Sequence, residues 1–237
     1  MTNENFIIFF TNKMEKVIQN MIQEMLVEGP TFNKFAMLIH RYTTQQAHSI
    51  QEIRKFHTTK TKGDLFESFC CLYLKHVSKY EKVWLLKEVP EEVRTKLQLK
   101  SHDMGIDIVV ENKQEYFAVQ CKWKSPLAKG QIPGTKYLKK EKVNWGELAT
   151  FLVLCERTGP WKQYLVMTNA EGIRREGRKS PKDKSICLKT FQNLKVEDWY
   201  SMSGYTGQIL TEEPEKKVVL SVEEMRQKRL DFLNSTN

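Results

Sequence analysis

The stretch GIDIVVENKQEYFAVQCK, residues 105–122, decides how this chain is read. At strand period, Asp107, Val109 and Glu111 share one face of its first half, and Ile106, Ile108 and Val110 share the other. In the second half Phe117, Val119, Cys121 and Trp123 make an apolar face, so Tyr116, Ala118, Gln120, Lys122 and Lys124 point the opposite way. A polar turn at Asn112-Lys113-Gln114 joins the two halves as a hairpin. An acid, an amide oxygen and an amine then meet beside one sheet, an arrangement that can seat a hard cation and a phosphate.

Upstream, Gly63-Asp64 predicts a helix running from Leu65 to about Val77, with Asp64 as its cap. Glu67 is the one acid inside the run Leu65 to Leu74, which is apolar around almost its whole circumference. A carboxylate forced toward an interior is costly unless it is paired or binds a cation, so a structural ion pair and a metal ligand are both open for Glu67. Asp107, Gln120 and Lys122 have bland readings of their own, as a strand-end cap and the polar face of an edge strand. Their combination points further. Two carboxylates, an amide and Lys122 make an oxygen-lined Mg²⁺ site with an adjacent ammonium group. In such a site the metal polarises a phosphoryl oxygen and acidifies bound water, while the ammonium orients that water or stabilises charge on the phosphate.

Around this centre the pattern alternates helices and strands. Residues 11–28 form an amphipathic helix (Met14, Val17, Ile18, Met21, Ile22, Met25, Leu26) capped at Thr11 or Asn12 and ended by Gly29-Pro30. A second helix begins near Thr31, with Phe35, Leu38, Ile39 and Tyr42 on one face and Ile50, Ile53 and Phe56 continuing it. This helical hairpin either packs on the main body or serves as a dimerisation or DNA-contacting appendage. After a polar linker at His57 to Lys62 come a strand over Lys82 to Val89 and a charged stretch to Lys100. Beyond the central hairpin follow a basic loop from Lys124 to Lys142, a buried helix over Trp145 to Cys155 and a strand over Gln163 to Thr168. A short strand over Ile186 to Leu188, a helical turn over Val196 to Tyr200 and a charged tail with a capped helix at Ser221 complete the chain. The expected organisation is a helical region over 1–58, an α/β domain over 59–205 and a tail over 206–237.

The chain has 237 residues, enough for one ordinary domain and an appendage, with 40% hydrophobic residues to build a core. A formal net charge of +9 favours a polyanionic partner. The five cysteines are odd in number and lack a C-x-x-C pair, which speaks for buried thiols in a reducing, intracellular compartment, cytoplasm or nucleus. The apolar stretch Phe6 to Phe10 is too short for a signal peptide core, and nothing approaches a membrane span. His40, His48, His57, His76 and His102 lack metal-ligand spacing, and no phosphate-binding glycine loop occurs. Trp123, Trp145 and Trp161 read as core residues rather than base-stacking platforms.

Gly63-x-x-x-Glu67, Gly105-Ile106-Asp107 and Gln120-Cys121-Lys122, in that order, resemble the PD-(D/E)XK nuclease superfamily, and most of all the catalytic domain of Mrr-type restriction endonucleases. The resemblance spans roughly residues 63–200. It implies an α/β, restriction-endonuclease-like mixed β-sheet core flanked by helices, with Mg²⁺ (or Mn²⁺ in its place) as cofactor and DNA as partner. It implies metal-dependent endonuclease activity, with Glu67 as the helix acid, Asp107 as the metal-bridging acid, Gln120 as a metal-proximal ligand and Lys122 as the catalytic lysine. Gln120 stands where most of the superfamily carries Glu or Asp. Basic residues in the flanking loops (Lys124, Lys129, Lys136, Lys139, Lys140, then Arg174, Arg175, Arg178, Lys179) suit sequence-independent phosphate contact. A homodimer through the first helices and a helicase or larger assembly reached by the tail are further expected partners. Two other readings stay open: a non-catalytic DNA-binding or scaffold module on the same fold, and a structure-selective nuclease resembling Holliday junction resolvases.

Overall fold

The protein is described by a computed structural model for residues 3–45, 58–100, 105–124, 142–174 and 180–205. Its helices are α1 (Asn3–Leu26), α2 (Phe32–Gln45), α3 (Thr58–Leu72), α4 (Glu91–Lys96), α5 (Ala149–Arg157), α6 (Leu188–Gln192) and α7 (Val196–Met202). The main sheet has five strands in the spatial order β1 (Lys82–Leu85), β2 (Ile108–Asn112), β3 (Glu115–Lys122), β5 (Gln163–Thr168), β7 (Asp183–Ile186). The short strands β4 (Lys142–Val143) and β6 (Gly172–Ile173) pair separately, in parallel.

Strand direction follows from connection length. β2 and β3 are joined by the two-residue turn Lys113-Gln114, whose φ values of 51° and 63° match the right-handed twist of a tight hairpin, and they pair antiparallel with Ile108 opposite Val119. β3 and β5 run parallel, which demands a crossover, and the turn Trp145–Leu148 with α5 supplies its helix. β5 and β7 are parallel as well. The C-terminal ends of β1, β3, β5 and β7 therefore lie at one end of the sheet, beside the N-terminal start of β2.

The alternation read in β3 holds. Phe117, Val119 and Cys121 join Ile108, Val110, Leu165 and Met167 in a core closed by α1, α2, α3 and α7. Tyr116 and Ala118 join Val109, Tyr164 and Val166 in a second core closed by α5 through Phe151 and Cys155. The first core centres on an aromatic cluster: the Phe69 ring of α3 lies 4.5 Å from Phe35 of α2, 5.4 Å from Phe191 and 5.9 Å from Trp199. Ile18, Met21, Ile22 and Met25 of α1 are buried in the same core. The described residues all belong to one compact unit that ends at Tyr205. Of the two readings of the helical hairpin, the packing of Ile18, Met21, Ile22 and Met25 fits the one in which it docks on the main body of its own chain.

Several boundaries differ from the expectation. α1 starts at Asn3, past the caps expected at Thr11 and Asn12, because apolar positions at helical spacing continue upstream through Phe10 and Ile7. α3 starts at Thr58, so Asp64 is interior to it; its carbonyl accepts from Ser68 Oγ at 3.0 Å, and a Cβ at Gly63 would meet open space. The expected strand over Lys82 to Val89 ends at Leu85 and gives way to a 3₁₀ turn. The charged stretch after it contains α4, with Glu91 and Glu92 in the first turn and Arg94 and Lys96 in the last, a charge order that favours the helix dipole. Ile106 packs in the second core rather than with Ile108, since Gly105, at φ +108°, turns the chain before the strand begins. The last strand is Asp183–Ile186, and Leu188 already opens α6. The continuation through Ile50, Ile53 and Phe56, and the helix at Ser221, lie outside the described residues.

Candidate active site

Asp107 is pinned between β3 and the turn that follows β1. Its amide donates to Val119 O at 2.9 Å, and its carbonyl accepts from Leu86 N at 2.8 Å. The turn that delivers it needs Gly105: besides the positive φ, a Cβ there would stand 3.3 Å from the backbone nitrogen of Phe151. The carboxylate turns along β3. Asp107 Oδ2 accepts from Gln120 Nε2 at 2.6 Å and from the Cys121 amide at 2.5 Å. Gln120 is only 4% exposed, so its amide would be costly to bury without this partner.

Glu67 rides on α3, half-buried. α3 meets β3 in the first core, where Cys70 and Cys121 are two buried thiols that influence one another. Burial pushes both thiols up, and the charges of Glu67 and Asp107 both add to that rise. The helix acid and the strand acid thus both act by charge on the thiols that join α3 to β3.

Lys122 is half-buried, two residues along β3 from Gln120. The backbone around it is clamped. Thr168 Oγ1, in register with Lys122, donates to its carbonyl at 2.7 Å. One step on, the Lys124 amide donates to Asn169 Oδ1 at 2.6 Å, while Asn169 Nδ2 donates to Lys124 O at 2.6 Å. Asn169, 5% exposed, thus adds one side-chain rung to the β3–β5 ladder beyond the last backbone pair.

The Lys124 ammonium is engaged by Glu147 Oε1. Glu147 Oε2 accepts from the Asn144 amide at 2.9 Å, and the Glu147 amide donates to Asn144 Oδ1 at 3.1 Å, a reciprocal cap that starts the turn leading into α5. Burial alone would raise the Glu147 carboxyl, but the Lys124 bond, the Asn144 amide and the charges of Lys124 and Lys122 outweigh it and hold it below its ordinary value. Sequence reasoning passed over Glu147 and Asn169. The Asn144-x-x-Glu147 spacing signals a helix start, but nothing local signals the partnership with Lys124.

The other basic candidates separate. Arg174 is exposed, its amide donating to Val143 O at 2.7 Å. Lys129, Lys136, Lys139, Lys140, Arg175, Arg178 and Lys179 lie outside the described residues. Trp161 is buried, its Nε1 donating to Thr158 Oγ1 at 3.0 Å, and the Trp123 ring packs 5.3 Å from Phe66.

Among the described residues no group of three or more His, Cys, Asp or Glu gathers as a metal site. A set of Glu67, Asp107 and Gln120 has only two such residues, the third being a neutral amide. These are hard oxygen donors of the kind that suits Mg²⁺ or Mn²⁺. With Nε2 given to Asp107, the Gln120 Oε1 is the end of the amide that could face a cation. The donor chemistry fits a divalent ion.

A model of the restriction endonuclease family, for an Mrr-type catalytic domain, matches residues 74–203. That match contains Asp107, Gln120 and Lys122 and begins after Glu67. No curated protein and no solved structure matches the chain. With more than half of its length covered by this family's model, on a mixed sheet flanked by helices, the chain belongs to the Mrr-type restriction endonuclease family.

Proposed function

We propose that the chain hydrolyses DNA phosphodiester bonds as a metal-dependent endonuclease, with Asp107, Gln120 and Glu67 holding Mg²⁺ or Mn²⁺ and Lys122 serving the attacking water. The observation that carries this reading is the buried Gln120 amide bonded to Asp107 on the strand that also bears Lys122. When bound, the ion would acidify a water and draw charge from the phosphoryl oxygens. The chain's own part is placement. Asp107 is held by β3 and the turn after β1 through its backbone and by Gln120 and Cys121 through its carboxylate. The clamp at Thr168 and Asn169 holds the backbone at the end of β3, from which the Lys122 ammonium would reach toward the acids. From there it can orient a water or take up charge on the phosphate.

Lys122→Ala tests this. Plasmid cleavage in Mg²⁺ or Mn²⁺ should be lost while retention on DNA stays near wild type. Undiminished cleavage removes Lys122 from the chemistry.

The same residue motivates a second reading, a DNA-binding scaffold without catalysis, because the neutral Gln120 amide leaves the site one negative charge poorer than a carboxylate would. Calorimetric titration with Mn²⁺, repeated on Asp107→Ala, separates the two. Heat of binding in the wild type alone supports the nuclease; none in either supports the scaffold. Comparing linear duplex, methylated duplex and four-way junctions would show whether the enzyme selects structure. If two copies pair to cut both strands, they meet through a surface other than the buried face of α1.

A further inference from the structure

A lysine two positions along β3 from the proposed catalytic one is already neutralised, and by a residue with no role in the reading above. Lys124 sits two positions after Lys122, its backbone held on both sides by Asn169, so its side chain leaves β3 from a fixed point. Its ammonium bonds Glu147 Oε1. The ion pair is only partly exposed, at 22% for Lys124 and 32% for Glu147, so it is not a casual surface contact. The Glu147 carboxylate has a second, independent anchor in the Asn144 amide at 2.9 Å, which locates it whether or not Lys124 is present. Lys122 also acts on this carboxylate through its charge. An anion is thus built in beside Lys124, at the end of the sheet that carries Asp107 and Gln120.

A DNA phosphate reaching Lys122 must approach that same anion. Two negative groups cannot share Lys124 without strong repulsion at this spacing and partial burial. We propose that Glu147 is a resident counter-ion that occupies the place of a DNA phosphate beside Lys124 in the DNA-free protein and yields Lys124 to the backbone when the duplex docks. This rests on the nuclease reading and adds to it a built-in brake on DNA affinity. On docking, the displaced carboxylate stays tied to Asn144 and takes up a cation from solution. That uptake offsets one of the cations released from the DNA, so the wild type should be less salt-sensitive than its count of basic contacts implies.

Glu147→Gln is the direct test, because glutamine keeps an oxygen for the Asn144 amide and removes only the charge. Binding of a fluorescent duplex is followed by anisotropy in EDTA over a salt series, so that no cleavage is required. The variant should bind about threefold to tenfold more tightly at low salt, with the log–log salt slope steeper by roughly one ion. In a Lys124→Ala background the Glu147→Gln change in slope should disappear. Equal or weaker binding by Glu147→Gln with an unchanged slope overturns the counter-ion role, and so does weaker binding with a lowered melting temperature, which marks Glu147 as purely structural. A wild type that binds and cuts DNA while Glu147→Gln behaves identically sinks this proposal alone. A wild type that neither binds nor cuts sinks the nuclease reading and the counter-ion with it.

Discussion

The side-chain amide of Gln120 donates to Asp107 Oδ2 at 2.6 Å, across the antiparallel pair β2–β3. A glutamate at position 120 could not make this bond; two carboxylates at that distance would repel until a cation arrived or one took up a proton. Gln120 keeps the acid in place without metal.

Gln120→Glu is therefore expected to destabilise the metal-free protein by about 1–3 kcal/mol, the cost of losing a buried hydrogen bond and adding a like charge. Mn²⁺ should then raise the melting temperature of the variant more than that of the wild type. Thermal melts in EDTA and in Mn²⁺ check both halves, and equal metal shifts would mean that position 120 does not face the ion.

Asn169→Ala removes the last rung between β3 and β5 and leaves both backbone groups of Lys124 without their partner. A loss of roughly 1–3 kcal/mol in urea unfolding is expected. Cleavage should fall through kcat more than through KM, because Lys122 is displaced while the basic surface is kept. Unchanged kcat would show that the strand end holds itself.

Phe69 ties the N-terminal helices to the segment that bears the site. Phe69→Ala should cost about 3–5 kcal/mol. Unfolding followed by circular dichroism and by tryptophan fluorescence should remain one coincident transition, since α1 and α2 share a core with α3 and the sheet. Separate transitions would show that the helical hairpin folds on its own.

Acidification should weaken the fold below about pH 6.5. Burial, then the neighbouring Lys62, depresses the His40 imidazole below 6.5, and burial outweighs Glu15 to depress His76 likewise. A base with a lowered folded value binds more protons when unfolded, so stability falls as pH drops from the unfolded value toward the folded one. His40→Gln and His76→Gln should each flatten the loss of melting temperature between pH 7.5 and 5.5, a window on the order of one unit either side of the ordinary histidine value. Curves parallel to the wild type would count against both.

The period-two pattern of β2 and β3 was legible because it is local: the hairpin turn, the two faces and the common side of Gln120 and Lys122 all follow from neighbours in sequence. Glu67 was legible as an acid inside an apolar helix. The start of α3 was not, since Thr58 to Lys62 is polar without being helix-breaking, and only packing on the core decides it. α4 was missed because its six residues, four of them charged, carry no apolar stripe. Glu147 and Asn169 were missed for a topological reason: their partner Lys124 lies 23 and 45 residues away, across a parallel crossover that no local pattern encodes.

Four of the five thiols are buried, and Cys187 alone is partly exposed, one residue before the Leu188 amide that donates to Ala170 O at 2.9 Å. That puts it at the end of the sheet where β5 and β7 finish, the same end as Asp107 and Lys122. A maleimide dye added to the unmodified protein should attach there first, giving a single optical reporter at that end of the sheet with no engineered cysteine.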